Sequence, residues 1–289
     1  MKYLVTGATG SFGTRAIESL LKEVNAENIV ASVRDIAKAD KIKSLGVEVR
    51  QADFNDYDSL VSAFKGIDRI LMISTNEPVN DKRIAQHLNA INASKKERVK
   101  LLVYTSGIHD PSKPNVLSSA HIATEKALIE SGTPYCILRN NLYLETEIPT
   151  IKACIAGAPI ITATGNGKIG FAVRNDYADA AVSALTGEGN ENKIYELAGK
   201  PITYDELAIE LSSILEKTVP VQHVDDEAFA GVLKNLGMAE VLIPLFASTK
   251  ADIRNGSLDV NSNDIEELLG RPVTPILDGL KSIISFIKI

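Results

Sequence analysis

The chain has 289 residues, 45% of them hydrophobic and 24% charged, with 31 basic against 37 acidic side chains and a formal charge of −6. At this length and composition a globular protein buries its own core, so neither a disulfide framework nor a structural metal is required. The acidic balance disfavours a surface that coats nucleic acid, and no apolar run reaches the ~18–20 residues that span a bilayer.

Tyr3–Val5 reads as a first strand, too short for the apolar core of a signal peptide, and Gly7–Gly13 as a glycine-rich turn. A helix follows from Thr14, because Ala16, Ile17, Leu20, Leu21 and Val24 recur at helical spacing. Ile29–Val33 and Val47–Val49 are strands, separated by the polar, helix-prone stretch Ile36–Leu45. Tyr57–Phe64 reads as a helix, Arg69–Ser74 as a strand, Arg83–Ser94 as a helix and Lys100–Thr105 as a strand. The basic cluster Lys95-Lys96-Glu97-Arg98-Val99-Lys100 is a solvated helix end. Ser119–Ser131 is helical, stopped by Gly132 and Pro134, and Tyr135–Arg139 is the next strand. Strands that alternate with helices and are apolar on both faces specify an α/β fold with a doubly wound, Rossmann-like parallel sheet.

Beyond Arg139 the alternation breaks. Tyr143–Gly157 reads as helical, Pro159–Ala163 as extended, Asp176–Leu185 as a helix and Lys193–Leu197 as a strand. Thr203-Tyr204-Asp205-Glu206 is a capping box that starts a helix. Val219–Val224 is extended, Glu227–Leu236 is a helix closed by Gly237, and Asn255–Asn263 is an exposed loop. Cys136 and Cys154, both in apolar settings, fit a reducing compartment, and the expected location is the cytoplasm.

Gly7, Ala8, Thr9, Gly10, Ser11, Phe12 and Gly13 stand between a strand and a helix. Small residues there let backbone approach a pyrophosphate, and the helix N-terminus offers it free N–H groups and a positive dipole end. The spacing is GxxGxxG rather than the dehydrogenase GxGxxG. Arg34 follows the second strand directly, and its bond to a 2′-phosphate would be worth ~1.5–3 kcal/mol, favouring NADP(H). In the alternative, Asp35 faces the ribose and selects NAD(H). Asp53 and Phe54, after the third strand, are placed for the adenine, and Ser74, Thr75 and Asn76 close the fourth strand on the ligand side of such sheets.

The GATGSFG turn, Val33-Arg34, Ala52-Asp53-Phe54, Tyr104-Thr105-Ser106, His121 to Lys126, Leu138 to Asn141 with Tyr143, Arg174 to Ala178, Tyr195 to Gly199 and Leu268 to Pro272 occur in that order. Together they resemble the NmrA-like branch of the atypical short-chain dehydrogenase/reductases, nearest its bacterial quinone and dye reductases. The resemblance implies that Gly7–Phe12, Arg34, Ser74–Asn76, Asn140, Asn141 and Tyr143 contact NADP(H), the last three near the nicotinamide. It also implies an acceptor held between the nicotinamide and a smaller C-terminal domain. The motif order divides the chain into an NAD(P)-binding unit, residues 1–143 plus 174–198, and a smaller α/β substrate unit, residues 144–173 plus 199–289.

Short-chain dehydrogenases pair a tyrosine with a lysine four residues later, whereas here Ile122 precedes Lys126. Ketone reduction makes an alkoxide with a basicity near ~15.7 and needs a positioned acid. Quinone reduction makes a phenolate-like oxygen of pKa about 10, which tolerates the absence of one. The missing tyrosine therefore favours a quinone-like, conjugated acceptor. Lys126, holding the nicotinamide ribose or the developing anion, and Ser106, donating to the substrate oxygen, are the candidate catalytic residues, with His109 a further pocket residue. His121 and Glu125, spaced i, i+4, read as a surface hydrogen bond, no histidine has metal-ligand spacing, and no GxSxG elbow is present. The expected partner is a small quinone-like molecule, with no nucleic acid or membrane; a homodimer stays open. Two rival readings are a non-catalytic NADP-binding redox sensor and a reductase of dyes, azo or nitro compounds.

Overall fold

The computed structural model describes residues 1–110, 112, 115–116 and 118–287. In chain order, β1 (Tyr3–Val5), α1 (Ser11–Leu20), β2 (Ile29–Val33), α2 (Asp40–Lys43), β3 (Glu48–Gln51), α3 (Tyr57–Phe64), β4 (Arg69–Met72), α4 (Asn80–Lys96), β5 (Leu101–Gly107), α5 (Ser119–Ser131) and β6 (Tyr135–Asn140) alternate. They are followed by α6 (Ile148–Ile155), β7 (Ile160–Thr162), α7 (Arg174–Thr186), β8 (Lys193–Leu197), α8 (Tyr204–Leu215) and β9 (Val221–His223). The chain ends with α9 (Asp226–Asn235), α10 (Ile243–Arg254), α11 (Asp264–Leu269) and α12 (Ile276–Ile287).

Seven strands pair in the order β3-β2-β1-β4-β5-β6-β8, all parallel. β1, β2 and β4 are buried along their whole lengths, which is why they read as continuous apolar runs. Successive side chains face opposite layers. Val5, Ala31, Leu71, Val103 and Leu138 join one core with α1 and α7, whereas Leu4, Val30, Ile70, Leu102, Tyr104 and Ile137 join a second with α3, α4 and α5. The winding direction reverses between the neighbours β1 and β4, and their C-terminal ends open the crevice where ligands of such sheets lie.

A third core is built from Leu144, Ile151, Ile160, Phe171, Tyr204, Leu207, Leu280 and Ile284, beside the two-stranded parallel sheet β7-β9. One segment departs from the expected division of the chain: α11 packs on the large sheet's side, with Ile265 fully buried in the first core. Asp176, on α7, holds this return path by accepting from Thr274 N at 2.7 Å and Arg271 Nη2 at 2.8 Å, which gives the Arg174-Asn175-Asp176 motif a physical reason. The last two residues of the expected tail, 288–289, lie outside the described residues.

Other differences are local. Ile36–Leu45 splits into a 3-10 turn and the four-residue α2, and Tyr143–Gly157 into a 3-10 turn over Leu144–Glu147 and α6. The expected exposed loop Asn255–Asn263 is pinned at Leu258, which is buried while its carbonyl accepts from Asn141 and Gly170. Thr203 and Glu206 form both bonds of the capping box. Cys136, in β6, and Cys154, in α6, are free thiols buried in separate cores. Among the described residues no helix is long and apolar enough to cross a membrane.

Candidate active site

The glycine turn is shaped by two requirements. Gly7 takes φ +57°, and a Cβ on Gly13 would stand 2.4 Å from the Gly7 carbonyl oxygen, so the turn lies directly against α1. Gly10 caps α1 without a side-chain bond, and no acidic residue occupies the first helical turn. The leading amides and the positive end of the helix dipole are thus left for an anion.

Arg34 is exposed at the end of β2. Its rival Asp35 is engaged locally, capping the next 3-10 turn through Ala37 N at 3.0 Å, which weakens the ribose reading of that carboxylate. Asp53 likewise turns inward on its own loop, accepting from Asn55 N and Nδ2, while Phe54 packs against the second core with its ring edge-on to His87.

At the end of β4 the backbone is held from three sides. Ile73 N donates to Thr6 Oγ1, Ser74 N to Thr105 Oγ1 and Thr75 N to His87 Nε2, at 2.9, 2.9 and 3.1 Å. Thr124 Oγ1 donates to the Ala120 carbonyl at 2.7 Å, so it accepts from His87 Nδ1–H at 2.9 Å. His87 is therefore a neutral ring with its proton on Nδ1, and burial and the nearby Arg83 charge push its pKa down to about 3.

Arg83, also on α4, donates from Nη2 to Ser74 Oγ at 2.5 Å and to His121 Nε2 at 3.3 Å. His121 must then carry its proton on Nδ1 and give it to the Tyr104 hydroxyl at 2.9 Å. Burial, reinforced by Arg83, holds His121 well below the usual histidine range, and burial pushes Tyr104 up to about 12. The surface hydrogen bond expected of His121 and Glu125 is not made, because both are buried and face different partners.

Across the crevice, Asn140 is only 7% exposed, reaches the Tyr143 hydroxyl through Nδ2 at 3.4 Å, and leaves Oδ1 buried without a partner among the described residues. Tyr143 packs between the tilted rings of Phe12 and Tyr177, at 6.0 and 5.1 Å between ring centres, beneath the Arg174 guanidinium. Asn141 points elsewhere, donating to the Leu258 carbonyl at 3.0 Å. Asn140 and Tyr143 are thus brought to the turn, whereas Asn141 braces the backbone behind them.

The candidate catalytic pair is not assembled. Lys126 is 74% exposed at its side chain and lies 3.9 Å from Glu130, and Ser106 spends its proton on Glu125 Oε1 at 2.6 Å. Glu125 is in turn gripped by Arg139 at 2.7 Å, with His109 Nε2 at 3.7 Å, so the Ser106 hydroxyl and this carboxylate are engaged with each other and with Arg139. The side chains that do converge on the strand ends are Arg83, His87, Tyr104 and His121; sequence reasoning gave none of them a role in the site, naming Tyr104 and His121 only within motifs and as a surface pair. A signal existed: Arg83 and His87 sit i, i+4 in line with the buried Ala90, Ile91 and Ser94, polar side chains on an inward stripe. No cluster of metal-binding side chains occurs among the described residues.

With this geometry in hand, the chain matches a family described as NAD(P)H-binding over residues 7–188. It is 40% identical over 277 residues to quinone oxidoreductase 2 of Escherichia coli (strain K12), covering 96% of each chain. Its fold superposes on the NADPH complex of an Escherichia coli NADPH-dependent quinone oxidoreductase with a TM-score of 0.93, at 39% identity over 98% of this chain and 99% of that one. Triphenylmethane reductase of Citrobacter sp. matches with a TM-score of 0.93 at 36% identity, over 99% of this chain and 100% of the other.

Proposed function

The chain belongs to the NAD(P)H-binding family, and from that premise we propose that it is an NADPH-dependent oxidoreductase that passes a hydride to a quinone-like, conjugated acceptor. The uncapped N-terminus of α1 behind the glycine turn would hold the pyrophosphate, and Arg34 the 2′-phosphate. Asn140, whose buried Oδ1 lacks a partner among the described residues, and Tyr143 would meet the nicotinamide end. Bound there, the reduced nicotinamide supplies the hydride. The protein's part is to hold donor and acceptor in line and to exclude water from the gap.

One observation carries the choice of acceptor. His87, His121 and Tyr104 are neutral, and each histidine N–H is committed to a neighbouring side chain. None of these three is poised to give up a proton near neutrality, which suits an acceptor whose reduced form tolerates being an anion. A quinone does; a simple ketone does not. Lys126 and Ser106 have no catalytic part in this reading. We place the acceptor between the unit of residues 1–143 plus 174–198 and the third core, and the protein in the cytoplasm, where two free buried thiols persist.

The test is oxidation of NADPH with and without a small quinone, beside the Gly10→Val variant. A side chain at Gly10 would start 3.3 Å from the Gly7 carbonyl and fill the pyrophosphate approach, so NADPH affinity should drop roughly tenfold or more. Unchanged turnover in that variant overturns the cofactor assignment. Tight NADPH binding without turnover on quinones, dyes, azo or nitro compounds overturns the enzyme and leaves a redox sensor.

A further inference from the structure

Arg83 is a largely buried cation with no carboxylate partner among the described residues, and its Nε is buried without a hydrogen bond. The charged partners that normally neutralise such a group are replaced by a serine hydroxyl and a neutral imidazole. Burying an unpaired charge is costly, and Arg83 accordingly sits below the usual arginine range, driven by burial. An anion met during the protein's work would offset that cost. Ser74 shows where. Its Oγ accepts from Arg83 at 2.5 Å, so its own proton points away from the guanidinium. The acceptors near that proton are already engaged: His87 Nε2, at 3.5 Å, takes the Thr75 amide at 3.1 Å, and the Tyr104 hydroxyl takes the His121 Nδ1–H at 2.9 Å. Ser74 is half-buried at the end of β4, so the hydroxyl is within reach of a bound molecule.

We propose that Ser74 Oγ–H is the donor to the acceptor oxygen that becomes anionic, and that Arg83 is the positioning residue that polarises it. The assignment rests on the quinone-reductase reading above and adds to it the group that meets the charge. Hydride transfer moves two electrons and one proton from the reduced nicotinamide to the acceptor, which is left as a monoanion. A proton from water then completes the hydroquinone. Ser74 keeps its own proton throughout and donates a hydrogen bond that shortens as negative charge builds, a bond strengthened by the cation behind it. His121 holds the guanidinium in plane, with Tyr104 fixing its tautomer.

The experiment compares wild type, Ser74→Ala, Arg83→Met and Arg83→Lys at saturating NADPH, on benzoquinones graded by the acidity of their hydroquinones. NADPH affinity is followed separately by fluorescence. Ser74→Ala and Arg83→Met should each lose roughly 10- to 100-fold in kcat. The loss should grow as the product oxyanion becomes more basic, while Arg83→Lys recovers part of it. A loss equal for every quinone, or none, overturns the assignment. If Arg83→Met does not fold, Ser74→Ala alone decides on the same slope. Wild type that binds NADPH and reduces no quinone overturns instead the functional reading on which this rests.

Discussion

At the scale of single residues, the most consequential groups are histidines that are kept from charging. His87 titrates near 6.5 when unfolded and at about 3 in the fold, so the unfolded chain binds its proton first as pH falls. The sign is therefore fixed: the stability tied to His87 is fully present above about pH 6.5 and is lost as pH drops toward about 3. His121, depressed in the same direction, adds to the slope. Urea unfolding between about pH 6.5 and about pH 5 should show stability falling by up to ~1.4 kcal/mol per pH unit for each histidine, and His87→Gln should remove its share. A wild-type stability that stays level over that interval would show that the rings are not held neutral. The glycine turn was legible because its requirement is local, a positive φ and a helix start within a few residues. The Arg83–His121 contact was not, because it joins residues 38 apart and depends on how α4 lies on α5.

The element scale explains why Arg69, a charged residue at the start of a fully buried strand, does not disrupt it. Its Nη1 donates to the carbonyls of Leu185, Thr186 and Gly187, at 2.9, 3.2 and 2.6 Å, and so closes the C-terminal end of α7 where helix dipole and unpaired carbonyls both favour a cation. Arg69→Met should cost about 2–3 kcal/mol in chemical denaturation, since those carbonyls stay buried without a donor. A change below ~0.5 kcal/mol would mean that water takes the place of the guanidinium. Strands and the helices of the first half could be read from the sequence because their pattern is set by burial on two faces. α10 and α11 could not. α11 turns one isoleucine, Ile265, into the large core and leaves acidic residues outside, too short a stripe to register as a period.

Across the whole molecule, α10 is tied to three separate regions. Lys250 reaches the buried Glu147 at 3.6 Å and the Tyr204 hydroxyl, Asp252 accepts from Asn115 in the β5–α5 connection, and Arg254 pairs with Asp226 at 2.8 Å. Burial raises the Glu147 carboxyl, but the Lys250 charge and the bonds from Tyr204 and Thr150 outweigh it and leave it below the ordinary range. The stability it contributes is present above about pH 4.5 and lost as pH falls through its lowered folded value. Lys250→Met should destabilise by about 3 kcal/mol, because Glu147 is left charged and unpaired. Adding Glu147→Leu should recover part of that loss, and a strictly additive double variant would refute the coupling.

The two buried thiols also turn the protein into its own clock. Cys136 lies in the sheet, where burial pushes its thiol up to about 12, and Cys154 lies in the third core, also raised by burial. Neither is reactive while its surroundings stay closed, since the thiolate is the attacking form. Alkylation by a small reagent in native buffer should then time two openings separately, resolved by mass spectrometry of the labelled peptides. Cys154 should be labelled first if the third core is the looser body, and NADPH should slow Cys136 more than Cys154. Labelling of both at one common rate, with or without NADPH, would mean that the chain opens only as a unit.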